Sequence, residues 1–178
     1  MSDLLIRNAL DADRDAIRDV TLAAYQEYTA ILPPAHWGDY RRTILDALID
    51  VGPAEQIVAE QKGTIVGSVL LYPAGAVFYA PDGISSVRIE WPEVRLLAVA
   101  PAARGQGIGK ALMEECVRRA HLSQASVLTL RTSDMMRAAV RMYQHMGFVR
   151  APELDYRPVP GVTIKGYRLK LDEPTPST

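Results

Sequence analysis

The stretch Val99-Ala-Pro-Ala-Ala-Arg104-Gly105-Gln106-Gly107-Ile108-Gly109-Lys110-Ala111 joins an apolar, strand-like run to an amphipathic helix through glycines, a pattern suited to holding an anion. The preceding run, Glu93-Val-Arg-Leu-Leu-Ala-Val99, is rich in strand formers, and the following one sets Ile108, Ala111, Leu112, Cys116, Val117 and Ala120 at helical spacing. The glycines therefore stand at a helix N-terminus, where several backbone N–H groups lack a helical partner and the aligned peptide dipoles add about half a positive charge. A phosphate can be held there largely by main chain. The missing Cβ atoms permit close approach, and Arg104 and Lys110 can pair with further negative charge. The same residues also suit a glycine-rich strand-to-helix connection that binds nothing.

Two other phosphate loops fail on spacing. A P-loop needs Gly, four residues, then Gly-Lys-Ser/Thr; counting back from Gly109-Lys110 meets Arg104, and Ala111 follows the lysine, so no magnesium-binding hydroxyl is supplied. A dinucleotide fingerprint on Gly105 and Gly107 would need a third glycine where Lys110 stands, and it would open a domain from its first strand.

Arg104-x-x-Gly107-x-Gly109, directly after Leu97-Ala98-Val99-x-Pro101, resembles the GCN5-related N-acetyltransferase superfamily. The resemblance extends to Ala138-Ala-Val-Arg-Met-Tyr143-Gln-His-Met-Gly147-Phe148, similar to that family's penultimate helix and the Gly-Phe opening its next strand, so it covers residues 91–150 or so. It implies an α/β fold with a central mixed, mostly antiparallel twisted sheet, a parallel βαβ pair at the cofactor site and helices on both faces. A single acyltransferase domain over 1–172 and a flexible tail over 173–178 complete the expected layout.

The activity implied is transfer of an acetyl group from acetyl-CoA to a primary amine of a small molecule or peptide, by direct attack in a ternary complex. Carried over by motif, the cofactor lies on Leu97, Ala98, Val99, Arg104, Gly105, Gln106, Gly107, Ile108, Gly109, Lys110 and Tyr143. A protonated amine cannot attack a carbonyl, so a base must take its proton directly or through water. Glu93, six residues before Val99, stands where several members carry that base; read without the resemblance it is a solvated or Arg95-paired carboxylate. Tyr143 matches the position that returns a proton to the departing thiolate, although its helical spacing with Met136, Ala139 and Val140 also suits core packing. A backbone N–H near Leu97 to Val99 would polarise the thioester oxygen. In one departure, Met136 stands where many members carry an asparagine that meets the cofactor; Ser133 and Asp134 lie close enough in sequence to substitute.

Other chemistries lack anchors. His36, His121 and His145 show no paired spacing and have one cysteine to join, so no metal is expected. There is no Gly-x-Ser-x-Gly elbow. Tyr25, Tyr28, Trp37, Tyr40, Tyr72 and Tyr79 together suggest an aromatic-walled acceptor pocket. A non-catalytic CoA-binding sensor or assembly module is the alternative from another class, and an oxygen acceptor or a longer acyl chain is a minor one.

The elements that must position these residues follow from pattern. Leu4 to Asn8 reads as a strand, Asp11 to Ala30 as a helix capped by Asp11 or Asp13, and Trp37 to Ile49 as a second helix. Gln56–Glu60 and Thr64–Tyr72 form a hairpin, and Pro73 to Ser86 reads as a loop. Then come a strand over Glu90–Val99, a helix over Ile108–His121, a strand over Ser126–Thr132 parallel to the one before, a helix near Met135–Met146, a strand near Phe148 and a last one over Val162–Leu171.

The 178 residues suit one domain with a real core. At 48% apolar and 23% charged the composition is that of an ordinary globular chain, and a net charge of −1 offers no field for nucleic acid. Cys116 falls on the apolar stripe of its helix and is expected to be buried. No leader or membrane-length apolar run is visible, which makes a cytoplasmic location and no membrane partner the expectation. A homodimer is expected only as the commonest assembly of soluble proteins.

Overall fold

The computed structural model describes residues 3–79, 84–159 and 162–171. Strand pairing among them is mostly antiparallel with one parallel pair, in a mixed α/β arrangement. The chain divides into two compact units, residues 1–71 with 96–115, and residues 72–95 with 116–178.

The first unit begins with β1 (Leu4–Asn8), antiparallel to β2 (Glu55–Gln61), which in turn pairs antiparallel with β3 (Thr64–Tyr72). The last residues of β6 (Glu93–Val99) come next in strand order, and the Ala100 N–H donates to Val66 O at 2.8 Å. Helix α1 (Arg14–Tyr25) buries Ile17, Val20, Thr21 and Ala24, an i, i+3, i+4, i+7 stripe. The helix foreseen over 11–30 is in three pieces, because 3-10 turns at Asp11–Asp13 and Gln26–Ala30 flank α1. The second turn tightens where Pro33 and Pro34 forbid continuation. Asp13 stands at the N-cap of α1 but makes no side-chain capping bond there; its carboxylate instead accepts the Leu10 N–H at 2.8 Å, ahead of the 3-10 turn, and holds Arg7 at 2.6 Å.

Helix α2 (Pro34–Ile49) starts three residues earlier than its apolar pattern suggests, because Pro34 occupies the first helical position, where a missing N–H costs nothing. Helix α3 (Ile108–Leu122) opens in this unit, with Ile108, Leu112 and Met113 buried. A Cβ on Gly67 would lie 2.9 Å from Ala98 O and 3.0 Å from Leu112 Cδ1, so glycine is what lets the helix sit this low on the strands.

In the second unit the segment read as a loop holds a short hairpin, β4 (Val77–Tyr79) antiparallel to β5 (Ser86–Arg88). Strand β6 starts at Glu93, not Glu90, because Pro92 has no N–H to give a ladder; its carbonyl instead accepts both the N–H (2.9 Å) and Oγ1 (3.0 Å) of Thr129. Glu93 and Val94 pair in parallel with Thr129 and Leu130 of β7 (Val127–Thr132). Beyond β7 lies β10 (Val162–Lys170), antiparallel to β7, β8 (Val149–Arg150) and β9 (Tyr156–Val159). Helix α4 (Arg137–His145) precedes β8. The expected tail at 173–178 lies outside the described residues.

Cys116 is fully buried, as its place on the stripe implied. Among the described residues no helix is long and apolar enough to cross a membrane.

Candidate active site

The glycine turn lies in the first unit and is built around Gly105 (φ +76°) and Gly107 (φ +79°), in the left-handed region that residues with a Cβ rarely adopt. A Cβ on either would meet nothing within 4 Å, so backbone conformation, and not crowding inside the protein, is what requires glycine. Pro101–Ala103 forms a 3-10 turn leading in, and the first bond of α3 runs from the Ala111 N–H to Gly107 O at 2.9 Å. Among the described residues, the main-chain N–H groups of 105 to 110 have no acceptor within the protein. They form the open end of a 15-residue helix.

The side chains around this turn are engaged. Arg104 donates to Glu27 Oε2 at 2.6 Å and to Ala24 O at 3.1 Å, so its guanidinium braces the turn against the end of α1. Lys110 lies 3.4 Å from Glu114, one helical turn on, and Gln106 Oε1 accepts from Gln61 Nε2 at 3.3 Å. Ile108 is buried beneath.

Strand β6 departs from simple alternation. Leu96 has φ +51°, a conformation costing about 1–2 kcal/mol for a residue with a Cβ. Glu93 and Val94 are both buried and Arg95, Leu96 and Leu97 are all half-buried, so burial does not alternate residue by residue through this stretch. In the first unit, Leu97 O accepts the Tyr25 hydroxyl at 3.2 Å. Tyr25 also packs against Tyr28 (5.9 Å between centroids) and Tyr40 (6.0 Å), and Trp37 against Tyr40 (6.2 Å). Burial, with help from Glu27, pushes the Tyr28 phenol up to about 12, and burial, with help from Tyr28, does the same for Tyr40, so both stay protonated through neutral pH. Of the other aromatic candidates, Tyr72 meets Phe78 edge-on and Tyr79 is exposed.

In the second unit Tyr143 is buried on α4, its ring 5.9 Å from that of Phe148. Met136 occupies the N-cap position of this helix without a side-chain capping bond, and its sulfur accepts from Thr132 Oγ1 at 3.4 Å. Asp134 is taken up by Lys165 at 2.5 Å. Ser133 is buried with a hydroxyl that meets no partner among the described residues, an orphan that a bound polar group would satisfy.

Glu93 is only 1% exposed. One oxygen accepts from Arg95 Nε at 2.5 Å and the other from Arg131 Nη1. Each oxygen of this buried carboxylate thus carries one arginine bond.

The Acetyltransferase (GNAT) domain family matches residues 53–150. The chain belongs to the GNAT family. A GNAT-family acetyltransferase from Staphylococcus aureus Mu50 superposes with a TM-score of 0.70 at 16% identity, covering 95% of this chain and 99% of that one. The paia N-acetyltransferase of Thermoplasma acidophilum, solved in complex with coenzyme A, gives the same score and identity over 96% and 99%. Mycothiol acetyltransferase of Nocardia farcinica is 26% identical over 97% of this chain and 54% of its own. The chain spans about half the length of such curated relatives.

Sequence reasoning about this GNAT chain missed three residues that shape the site. Arg131 is the second partner of Glu93, 38 positions away, and nothing local to either residue reports that register. Gly67 and Gly166 are both crowded, the latter by Leu154 Cβ at 2.4 Å from where its own Cβ would stand, but neither sits in a turn that would flag it.

Proposed function

We propose that the chain is an acetyl-CoA-dependent N-acetyltransferase acting on a primary amine of a small molecule or a peptide. The observation that carries this reading is the row of main-chain N–H groups at 105 to 110 without protein acceptors, at the positive end of a helix, in a chain of the GNAT family. They suit the two charges of a diphosphate, with Arg104 bracing the turn through Glu27.

Bound acetyl-CoA supplies the acetyl group as a thioester. A main-chain N–H between Leu97 and Val99 stabilises the negative charge that grows on its carbonyl oxygen. The amine nitrogen bonds to the carbonyl carbon, the carbon–sulfur bond breaks, and the amine's proton leaves to water. Tyr143 gives its hydroxyl proton to the sulfur, whose conjugate acid has a pKa of about 8.5 in the simple cysteine analogue, and recovers one from solvent. To Glu93 we assign the positioning of Arg95 and Arg131, since both of its oxygens are occupied.

Incubation with acetyl-CoA and a broad panel of amines releases free thiol and yields products heavier by one acetyl group. No release across the panel removes the enzyme reading. Met136, at a position where the family resemblance leads one to expect a polar side chain, favours a second reading, a CoA-binding module without turnover. Heat stabilisation by acetyl-CoA with no thiol released would establish that reading instead.

A further inference from the structure

Glu93, Arg95 and Arg131 form a cluster in which two guanidinium groups face one carboxylate, leaving one net positive charge. Register places them together: Glu93 pairs with Thr129 across the parallel strands, so Arg95 and Arg131, each two residues further on, stand side by side on the same face. Like charges at that distance repel, and Glu93 between them is what holds both.

Each guanidinium is also fixed from a second direction. Arg95 lies over the Phe78 ring at 3.5 Å and beside Tyr72 at 5.5 Å, the former supplied by the β4–β5 hairpin. Arg131 Nε donates to Leu154 O at 2.7 Å. That carbonyl is delivered by the turn at Pro152–Leu154, which lies across Gly166, the neighbour of Arg131 in β10, so closely that a Cβ there would come within 2.7 Å of Ala151 O. Asp155 ties the turn down by accepting the Gly166 N–H at 2.9 Å and two bonds from Arg150.

Both side chains nevertheless keep donors to spare. Among the described residues, Arg95 uses Nε alone and Arg131 uses Nε and Nη1, so three N–H-bearing Nη groups remain without a protein acceptor. The side chains are 36% and 22% exposed, which leaves those groups within reach of a ligand. Pre-oriented guanidinium N–H groups carrying one net positive charge match a planar carboxylate of one negative charge. A phosphate, at nearly two negative charges, would ask for more cation than the cluster has.

We propose that Arg95 and Arg131 bind a carboxylate on the amine acceptor, making the acceptors amino acids or other carboxylate-bearing amines. This rests on the acetyltransferase reading above. Glu93 is then a positioning residue, acting on the acceptor through the two arginines.

The test compares three matched acceptors with the full chain and acetyl-CoA: an amino acid, its carboxamide and the corresponding decarboxylated amine. Charge-assisted bonds of this kind predict a kcat/KM about 30-fold higher for the carboxylate than for the carboxamide, and Arg95→Gln or Arg131→Gln brings that ratio to within about threefold of one. Where Arg131→Gln does not fold, Arg95→Lys serves, keeping a cation for Glu93 while losing the guanidinium fork and most of the preference. Calorimetry adds a readout free of turnover, since in the presence of CoA the N-acetylated amino acid should bind at least tenfold more tightly than its carboxamide by the same bonds, and Arg95→Gln should erase the difference. Equal kcat/KM for carboxylate and carboxamide in the unaltered chain, or a loss in Arg95→Gln that falls equally on both, overturns the carboxylate site and leaves the acetyltransferase reading standing. No turnover of any acceptor and no heat from acetyl-CoA overturns both.

Discussion

The glycine turn at 104–110 and the arginine pair around Glu93 present their N–H donors by opposite means. The turn offers main-chain N–H groups from six successive residues, so its donors are set by backbone conformation, and conformation is written locally in Gly105 and Gly107. The arginine pair offers side chains from two strands, held by a carbonyl from a third segment and a ring from a fourth. The first kind of site can be read from a dozen residues. The second exists only once the strands are in register.

The largest expected effect breaks the first site and spares the second. Gly107→Val forces a β-branched residue to φ +79° and reorients adjacent N–H groups; losing one or two charge-assisted bonds predicts about 100-fold weaker acetyl-CoA binding by calorimetry. Unchanged affinity would mean that the turn does not hold the cofactor. Tyr143→Phe keeps the ring and removes the hydroxyl proposed to donate the proton, so kcat should fall about 100-fold while acetyl-CoA affinity moves less than threefold. Equal kinetics would take the acid role from Tyr143.

Gly166→Ala strikes the second site through its support. The added methyl has no room under Leu154, which predicts a stability loss of about 1–3 kcal/mol in denaturant unfolding and a weaker carboxylate preference as Leu154 O moves off Arg131. A variant as stable and as selective as the parent would show that the turn over Gly166 plays no part. The smallest effect is in acid. Arg150, and then the Gly166 N–H, hold the Asp155 carboxyl down at about 2, from an ordinary 3.8. Because the folded value is the lower one, its contribution is complete above about pH 4 and is lost as the pH falls toward about 2. Thermal melts should therefore decline more steeply through that window for the parent than for Asp155→Asn, and parallel curves would contradict the assignment.

What was legible in the sequence divides along the same line. Strand β1, the β2–β3 hairpin, the parallel β6–β7 relation and the glycine turn all rest on short-range pattern, and the structure has them where pattern placed them. Arg95 as a partner of Glu93 was readable because the two are neighbours on one strand face. Arg131 was not, because its meeting with Glu93 depends on strand register across 38 positions. The β4–β5 hairpin was hidden by its strands of three residues, too short for alternation to stand out beside Gly75 and Pro81. Leu96 was hidden because nothing about leucine announces a left-handed conformation inside a strand; the strain is imposed by its surroundings.

Whether the N–H groups of residues 105 to 110 grip a diphosphate is decided by following backbone amide resonances while CoA, and separately pantetheine lacking the diphosphate, is titrated into the isotope-labelled chain. A grip of this kind gives large shifts at 105–110 with CoA and small ones there with pantetheine. Amides at 105–110 that stay in place at saturating CoA, or move equally with both ligands, would contradict it.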